Sequence, residues 1–174
     1  FVNLRLICQD IVTDVQSTIG SLHTLIFGAE LMEPVYIDVA LIKRAVSNLV
    51  TNAVKYSPPH SEVNINLWTQ EDDVVVEVND IGIGIPAAEQ KYLFQPYFRA
   101  SNVENMINGT GLGLRIAQDS VKLHGGRIEV ESQVGQGTTF RIFLPRTQQG
   151  QPDETSENLL LESTVISLDE ETDL

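Results

Sequence analysis

Asn48-Leu-Val-Thr-Asn52-Ala-Val-Lys55-Tyr56-Ser-Pro58-Pro59 closes a long helix, and the two faces of that helix decide what lies around it. Ile42, Ala45, Val46, Leu49 and Ala53 recur at helical spacing and make a stripe for burial. Asn48, Asn52, Lys55 and Tyr56 follow one another at one-turn and two-turn spacing, so they share an adjoining polar face. Asp38 suits the N-cap, and Pro58-Pro59 stops the helix. A helix of this kind rests on a sheet with one side and offers side-chain amides to something else with the other.

The flanking sequence supplies the sheet. Val63, Ile65 and Leu67, then Val74, Val76 and Val78, alternate as two half-buried strands joined at Glu71-Asp72-Asp73. Upstream, Leu4, Ile7, Cys8, Ile11, Val12, Val15 and Ile19 predict a helix over 4–19, ended by Gly20. Short strands are expected at 23–28 and 34–37, and a short helix at 87–93. A polar, Asn-rich stretch covers 99–110. A third helix runs from Leu112 to His124, closed by Gly125-Gly126, and strands at 127–131 and 138–144 finish at Pro145. This order predicts an α/β (α+β) two-layer sandwich, a mixed and mainly antiparallel sheet with three helices on one face.

Residues 1–145 therefore read as one domain and 146–174 as an acidic, disordered tail. The 174 residues carry a net charge of −13. Eight of the 24 acids fall after Pro145, which leaves 16 acids against 10 bases in the domain. No basic patch suits a nucleic-acid backbone. No apolar run approaches the roughly 20 residues of a bilayer span. The chain opens at Phe1 and reads as an excised piece, so any membrane anchor belongs to a preceding part. Cys8, the one cysteine, fits the apolar stripe as a small hydrophobe and suits a reducing compartment.

Three polar constellations carry chemistry. The amide oxygens of Asn48 and Asn52 suit Mg²⁺, which takes oxygen ligands and shares them with phosphates, while Lys55 can neutralise phosphate charge and Tyr56 can flank a purine ring. A solvated face would give the same pattern. Asp80-Ile-Gly82-Ile-Gly84 puts a carboxylate at a strand end, able to accept from an exocyclic amine, with glycines that admit close approach; an ordinary Asp-Gly turn has the same spelling. Gly109-Thr-Gly111-Leu112-Gly113 opens a helix whose N–H groups suit phosphates, although it is neither a Walker A loop nor a dinucleotide fingerprint. The polar stretch before it reads as a lid. Thr138 or Thr139 can touch a base pocket.

Taken in order with Phe94-Gln-Pro-Tyr-Phe98-Arg99, Leu123-His124-Gly125-Gly126 and Gly137-Thr-Thr-Phe140, these boxes resemble the catalytic, ATP-binding domain of sensor histidine kinases, within the gyrase/Hsp90/histidine kinase/MutL superfamily, over residues 3–145. The resemblance implies ATP and Mg²⁺ as ligands. It places Asn48 and Asn52 at the metal, Lys55 at phosphate, Tyr56 in the adenine pocket and Asp80 on the adenine amine, with Gly82 and Gly84 shaping that pocket. Phe94 and Phe98 anchor the lid base, Arg99 reaches phosphate or the acceptor domain, and Gly109, Gly111, Leu112 and Gly113 form the end of the lid. It also implies partners: a histidine-bearing dimerisation domain outside this chain, a response-regulator receiver domain, and a homodimeric parent in the cytoplasm.

Hydrolytic members carry a Glu where this chain has Asn48, and an amide is no general base, so transfer is expected in place of hydrolysis. His23, His60 and His124 all read as structural and not as the acceptor. The lid departs from the family, since 100–108 contain no Lys or Arg. Two alternatives stay open: an ATP-sensing or scaffold module without transfer, and an anti-sigma-type Ser/Thr kinase of the same superfamily.

Overall fold

The computed structural model describes residues 1–30, 34–103 and 109–146. Helix α1 spans Leu4–Ile19, with the Asn3 side chain accepting from the Arg5 amide as its N-cap. Leu4, Ile7, Cys8 and Ile11 are buried, whereas Val12, Val15 and Ile19 are half-buried, so the stripe loosens toward Gly20. Burial pushes the Cys8 thiol up to about 12, which leaves it inert as a nucleophile. Helix α2 spans Val39–Tyr56; Asp38 caps it through the Leu41 amide at 3.0 Å. Ser57 is extended (φ −89°, ψ 150°), as the residue before a proline must be, and so ends the helix.

Five strands form one sheet in the order β1-β2-β3-β5-β4. β1 (Thr24–Ala29) pairs parallel with β2 (Glu62–Gln70); β2 with β3 (Asp73–Asp80), β3 with β5 (Gly137–Pro145) and β5 with β4 (Arg127–Gln133) are antiparallel. Register places Leu67, Val76 and Ile142 side by side, and likewise Ile65, Val78 and Phe140. These residues share one buried cluster with the apolar sides of α1 and α2 and with Ala117 and Val121 of α3 (Gly113–Lys122). The expected mixed sheet with three helices layered on one face is the observed fold.

The other face is a polar ladder with one apolar row. Arg141 donates to Glu77 and Glu131, each at 2.8 Å. Trp68, Val75 and Phe143 line up across three strands, and the Arg127 guanidinium lies 3.8 Å over the Phe143 ring.

Several expected elements differ. Residues 34–37 form no strand; Val35 makes a single bridge to Val2, between Pro34, which lacks a donor, and Asp38, whose amide is taken by His124. The helix expected over 87–93 shrinks to a 3-10 turn at Gln90–Tyr92. The segment between Pro86 and Pro96 is a relay of three-residue turns, and Gln90 is pulled sideways onto the Ile85 and Ser132 carbonyls. The third helix starts at Gly113, not Leu112, and gives way to turns at Leu123–Gly126.

α2 and α3 lie antiparallel, and α3 is fastened to α2 at both of its ends. His124 Nε2 accepts from the Asp38 amide at 2.9 Å, and its Nδ1 donates to the Ser120 carbonyl at 2.7 Å. At the other end Asn48 Nδ2 donates to the Gly113 carbonyl at 3.0 Å. The imidazole is buried and uses both nitrogens, in the one neutral tautomer that suits both partners. His124→Leu keeps the volume and strands an N–H and a carbonyl. Urea denaturation is expected to show a loss of about 2 kcal/mol; an unchanged midpoint would show that the clasp contributes nothing.

Candidate nucleotide site

The polar side of α2 forms one wall of a cavity of about 300 Å³. Asn52, Lys55 and Tyr56 line it from α2, Asp80 from the end of β3, Thr138 from β5, and Gly109, Gly111 and Gly113 from the segment entering α3. Phe98 and Arg99 close a further side. The structure thus brings residues 52, 55, 56, 80, 84, 98, 99, 109–111, 113 and 138 to one hollow, although they lie far apart in the chain.

Asp80 is buried, and its register partner is Thr138. Oδ1 accepts from the Gly82 amide at 2.7 Å and from the Thr138 amide at 3.3 Å, and neither bond uses Oδ2. Burial pushes this carboxyl up to about 6; the two amides pull the other way and only moderate the rise. It is a carboxylate above that pH, held rigidly, with one oxygen to offer a donor.

The two glycines after it answer to neighbouring backbone. A Cβ on Gly82 would stand 2.5 Å from the Tyr56 carbonyl oxygen and 2.8 Å from Asp80 Oδ1. Gly84 has φ +66°, and a Cβ there would run into the Gln133 carbonyl. The loop is drawn this tightly because Ile83 donates to the Tyr56 carbonyl, so the end of α2 and the end of β3 are laced together.

Asn48 stands beside the cavity and not on its wall. With Nδ2 committed to Gly113, Oδ1 is its remaining ligating atom. Gly82, Phe94 and Leu112 also lie behind the lining: Gly82 holds Asp80, Phe94 packs against the core, and Leu112 starts α3 by accepting from the Ile116 amide. Among the described residues no three His, Cys, Asp or Glu side chains converge. A divalent ion here would depend on amide oxygens, water and phosphate, a donor set that suits Mg²⁺. The Lys55 ammonium lies against Gly109, with a Gly109 Cβ position 2.7 Å from Nζ, so the cation already sits under the glycine segment.

The sequence profile of the "Histidine kinase-, DNA gyrase B-, and HSP90-like ATPase" family matches residues 37–148. The chain belongs to that family. Circadian input-output histidine kinase CikA of Synechococcus elongatus is 40% identical over 109 residues, 62% of this chain and 14% of CikA. Adaptive-response sensory kinase SasA of Microcystis aeruginosa is 32% identical over 146 residues, 82% of this chain and 38% of SasA. The chain thus spans well under half the length of these curated relatives. Among solved structures, mycobacterial sensor histidine kinase MprB superposes with a TM-score of 0.76 at 27% identity, covering 85% of this chain and 99% of that one. The catalytic domain of histidine kinase ThkA gives 0.72 at 26% identity, covering 83% and 95%. The chain is an ATP-binding catalytic domain of histidine-kinase type.

Sequence reasoning missed part of this ATPase-family cavity. Thr51, Ile83, Ile85, Leu93, Asn102 and Phe140 also line it. Phe140 was legible as the inward residue next but one to Thr138 on β5, and Thr51 as a neighbour of Asn52. Ile83 and Ile85 flank Gly84 and read as spacers. Nothing in the sequence marks Asn102.

The raised Asp80 carboxyl gives two signed expectations. An adenine amine needs the ionised form, so affinity for ATP falls as pH drops through about 6, checked by calorimetric titration between pH 5 and 8. In the ligand-free domain the sign reverses. Folding favours the protonated group, so its stabilising share is full below about 3.8 and is lost as pH rises through about 6. Asp80→Asn keeps an acceptor for both amides; at pH 7.5 it should raise the melting temperature while ATP-over-GTP preference collapses. Preserved preference would remove Asp80 from base reading.

Proposed function

We propose that this domain holds Mg-ATP and hands its γ-phosphate to a histidine on a separate dimerisation domain of the parent protein. Asp80 accepts from the adenine amine, Tyr56 and Thr138 bound the ring, and Gly82 and Gly84 set the width of the pocket. Lys55 and the N–H groups of Gly109–Gly113 receive the phosphates, and Arg99 reaches the phosphate chain or the acceptor domain. Mg²⁺, when bound by the Asn48 and Asn52 oxygens, neutralises phosphate charge. Phe94 and Phe98 hold the base of the lid, and Leu112 and Gly113 its far end.

The observation that carries this reading is Asn48. Its amide is clamped to the start of α3 and cannot take a proton from water. A site without a base for hydrolysis, but with the groups for positioning and charge stabilisation, suits transfer to an outside nucleophile. The acceptor must come from elsewhere. His23 and His124 are buried, and His60 sits on a turn at φ 64° outside the cavity lining. An imidazole nitrogen attacks the γ-phosphorus as its bond to the ADP oxygen breaks, and a response-regulator receiver domain is the next acceptor. No described helix is long and apolar enough to cross a membrane; we place the domain in the cytoplasm, in a homodimeric parent, with no nucleic-acid partner. We also place the domain boundary at Pro145, where β5 ends.

Labelled ATP, Mg²⁺ and an acceptor hairpin should yield acid-labile phosphate on histidine. Acid-stable label would mean a hydroxyl acceptor and the Ser/Thr kinase reading. Binding with no transfer to any cognate hairpin would mean an ATP-sensing module. Asn52→Ala should lower Mg-dependent ATP affinity at least about tenfold with the melting temperature nearly unchanged. If the melting temperature collapses while affinity holds, Asn52 belongs to the fold and not to the metal.

A further inference from the structure

Strand β1 lies at one edge of the sheet, so half of its backbone groups point away from β2. Thr24 donates to the Ser61 carbonyl at 3.1 Å and Glu30 to the Leu67 carbonyl at 2.8 Å, which turns the even-numbered residues toward β2. Leu25, Phe27 and Ala29 therefore present their N–H and C=O groups outward. Gln16 of α1 covers only the start of this edge. Its Oε1 accepts from the Leu25 amide at 2.9 Å, and its Nε2 donates to the Gly20 and His23 carbonyls at 2.6 and 3.0 Å. Beyond it, the Leu25 carbonyl and both groups of Phe27 and Ala29 meet no partner among the described residues.

The corner behind that edge is unfinished too. Leu25, Phe27 and Ala29 pack against the core yet stay half-buried, as do Val12 and Val15 of α1. The edge carries no charge, proline or bulge, the devices that ordinarily keep a bare edge from pairing. It fits one more strand with apolar residues on its inner side.

The chain holds such a segment. Ser163-Thr-Val-Ile-Ser-Leu168 is an uncharged run without Gly or Pro, set between Glu162 and Asp169-Glu170-Glu171. β5 runs parallel to β1 through the two antiparallel pairings between them, so Pro145 and Ala29 stand at the same end of the sheet. Four strand spacings and three residues of rise put a position beside Ala29 about 22 Å from Pro145. The 17 residues 147–163 have a root-mean-square reach of roughly 21–25 Å as a coil. Such a match of reach to span gives intramolecular binding its highest effective concentration.

A segment entering from that end runs antiparallel to β1. Ile166 opposite Phe27 sets Thr164 opposite Ala29 and Leu168 opposite Leu25, all three turned to the corner. Val165 and Ser167 then face outward beside Gly28 and Ile26. A slip of one residue would turn Ser167 inward, and a slip of two would bring in Glu162 or Glu170. We propose that residues 164–168 add to β1 as a sixth, antiparallel strand in this register, so that the chain's own tail closes the α1–β1 corner. The proposal is independent of the ATP reading.

Amide hydrogen exchange, followed by NMR on the whole 174-residue chain, tests it. Thr164, Ile166 and Leu168 should exchange slowly and Val165 and Ser167 fast, because only the first three direct their N–H groups at β1. Ile166→Pro removes a bonded N–H, and Ile166→Asp keeps it but puts a charge in the corner. Both lie outside β1–β5 and α1–α3, so the fold of the domain is not at stake. In each, the Phe27 and Ala29 amides should exchange at least about tenfold faster than in wild type, while Ser167→Asp, on the outward side, should change neither. Equal Phe27 and Ala29 rates in wild type and both Ile166 variants would overturn the proposal. So would unbroken protection from 164 to 168, the mark of a helix. Protection of Phe27 that rises with protein concentration and survives Ile166→Pro, with a dimer in sedimentation, would give the edge to a second copy and overturn it as well.

Discussion

α2 depends on being held from two sides at once. Its apolar stripe must face the sheet for the domain to have a core, and its amides must face the cavity for the domain to have a site. A helix rotated by a few tens of degrees would satisfy neither. The antiparallel partner α3 fixes that rotation through His124 on Asp38 at one end and Asn48 on Gly113 at the other. The same two helices carry the Asn52 box and the end of the glycine segment, so the fastening that completes the fold also sets the distance between Asn52 and that segment. One side chain, Asn48, belongs to both on the proposed reading: its Nδ2 is structural, bound to the Gly113 carbonyl, and its Oδ1 is left for the metal.

The sheet contributes in a different way. Its interior strand β3 delivers Asp80 to a buried position, where desolvation raises the carboxyl and the Gly82 and Thr138 amides limit the rise. Protein stability at neutral pH is lower for having that group ionised. On the proposed reading a donor from a base amine meets the carboxylate without disturbing the two amides on Oδ1. Rejection of a base with a carbonyl at that position follows from the same arrangement, since two acceptors would then face each other in a dry pocket.

Sequence periodicity was enough for the large elements. α1, α2, β2, β3 and β5 were visible because each alternates or repeats against a single apolar core, and the motif boxes fell at their ends. What was not visible depends on contacts between segments distant in the chain. The 34–37 stretch has strand-like residues, yet Pro34 and the His124 claim on Asp38 leave room for one bridge only. The 87–93 stretch has helix-forming residues, yet the prolines at 86 and 96 and the sideways pull on Gln90 make it a relay of turns. The glycines of the Asp80 box were legible as glycines, but their reason, contact with the Tyr56 and Gln133 backbone, lies across the fold. Asn102 was illegible for the same cause: an asparagine in a polar stretch says nothing until its carbonyl is found buried. The expectation for 100–108 is open to view only through Val103, since 104–108 lie outside the described residues, as does the tail from 147 onward.

An acidic domain that holds a polyanion must concentrate its few cations, and here the arrangement is economical. Most of the ion pairs lie on the sheet face away from the helices or on the outer helix surface, with Arg141 and Arg127 bound to carboxylates of β3 and β4. Those guanidiniums are committed, and their field at the cavity is screened by their own partners. At the cavity wall stand Lys55 and Arg99, together with the N-terminal end of α3, whose aligned amides act as a fixed partial positive charge. On the proposed reading the remaining phosphate charge falls to the metal. On the same reading, a phosphoryl group held mainly by a metal and by helix amides keeps its outer side open to an incoming imidazole, which a site closed for hydrolysis would not allow.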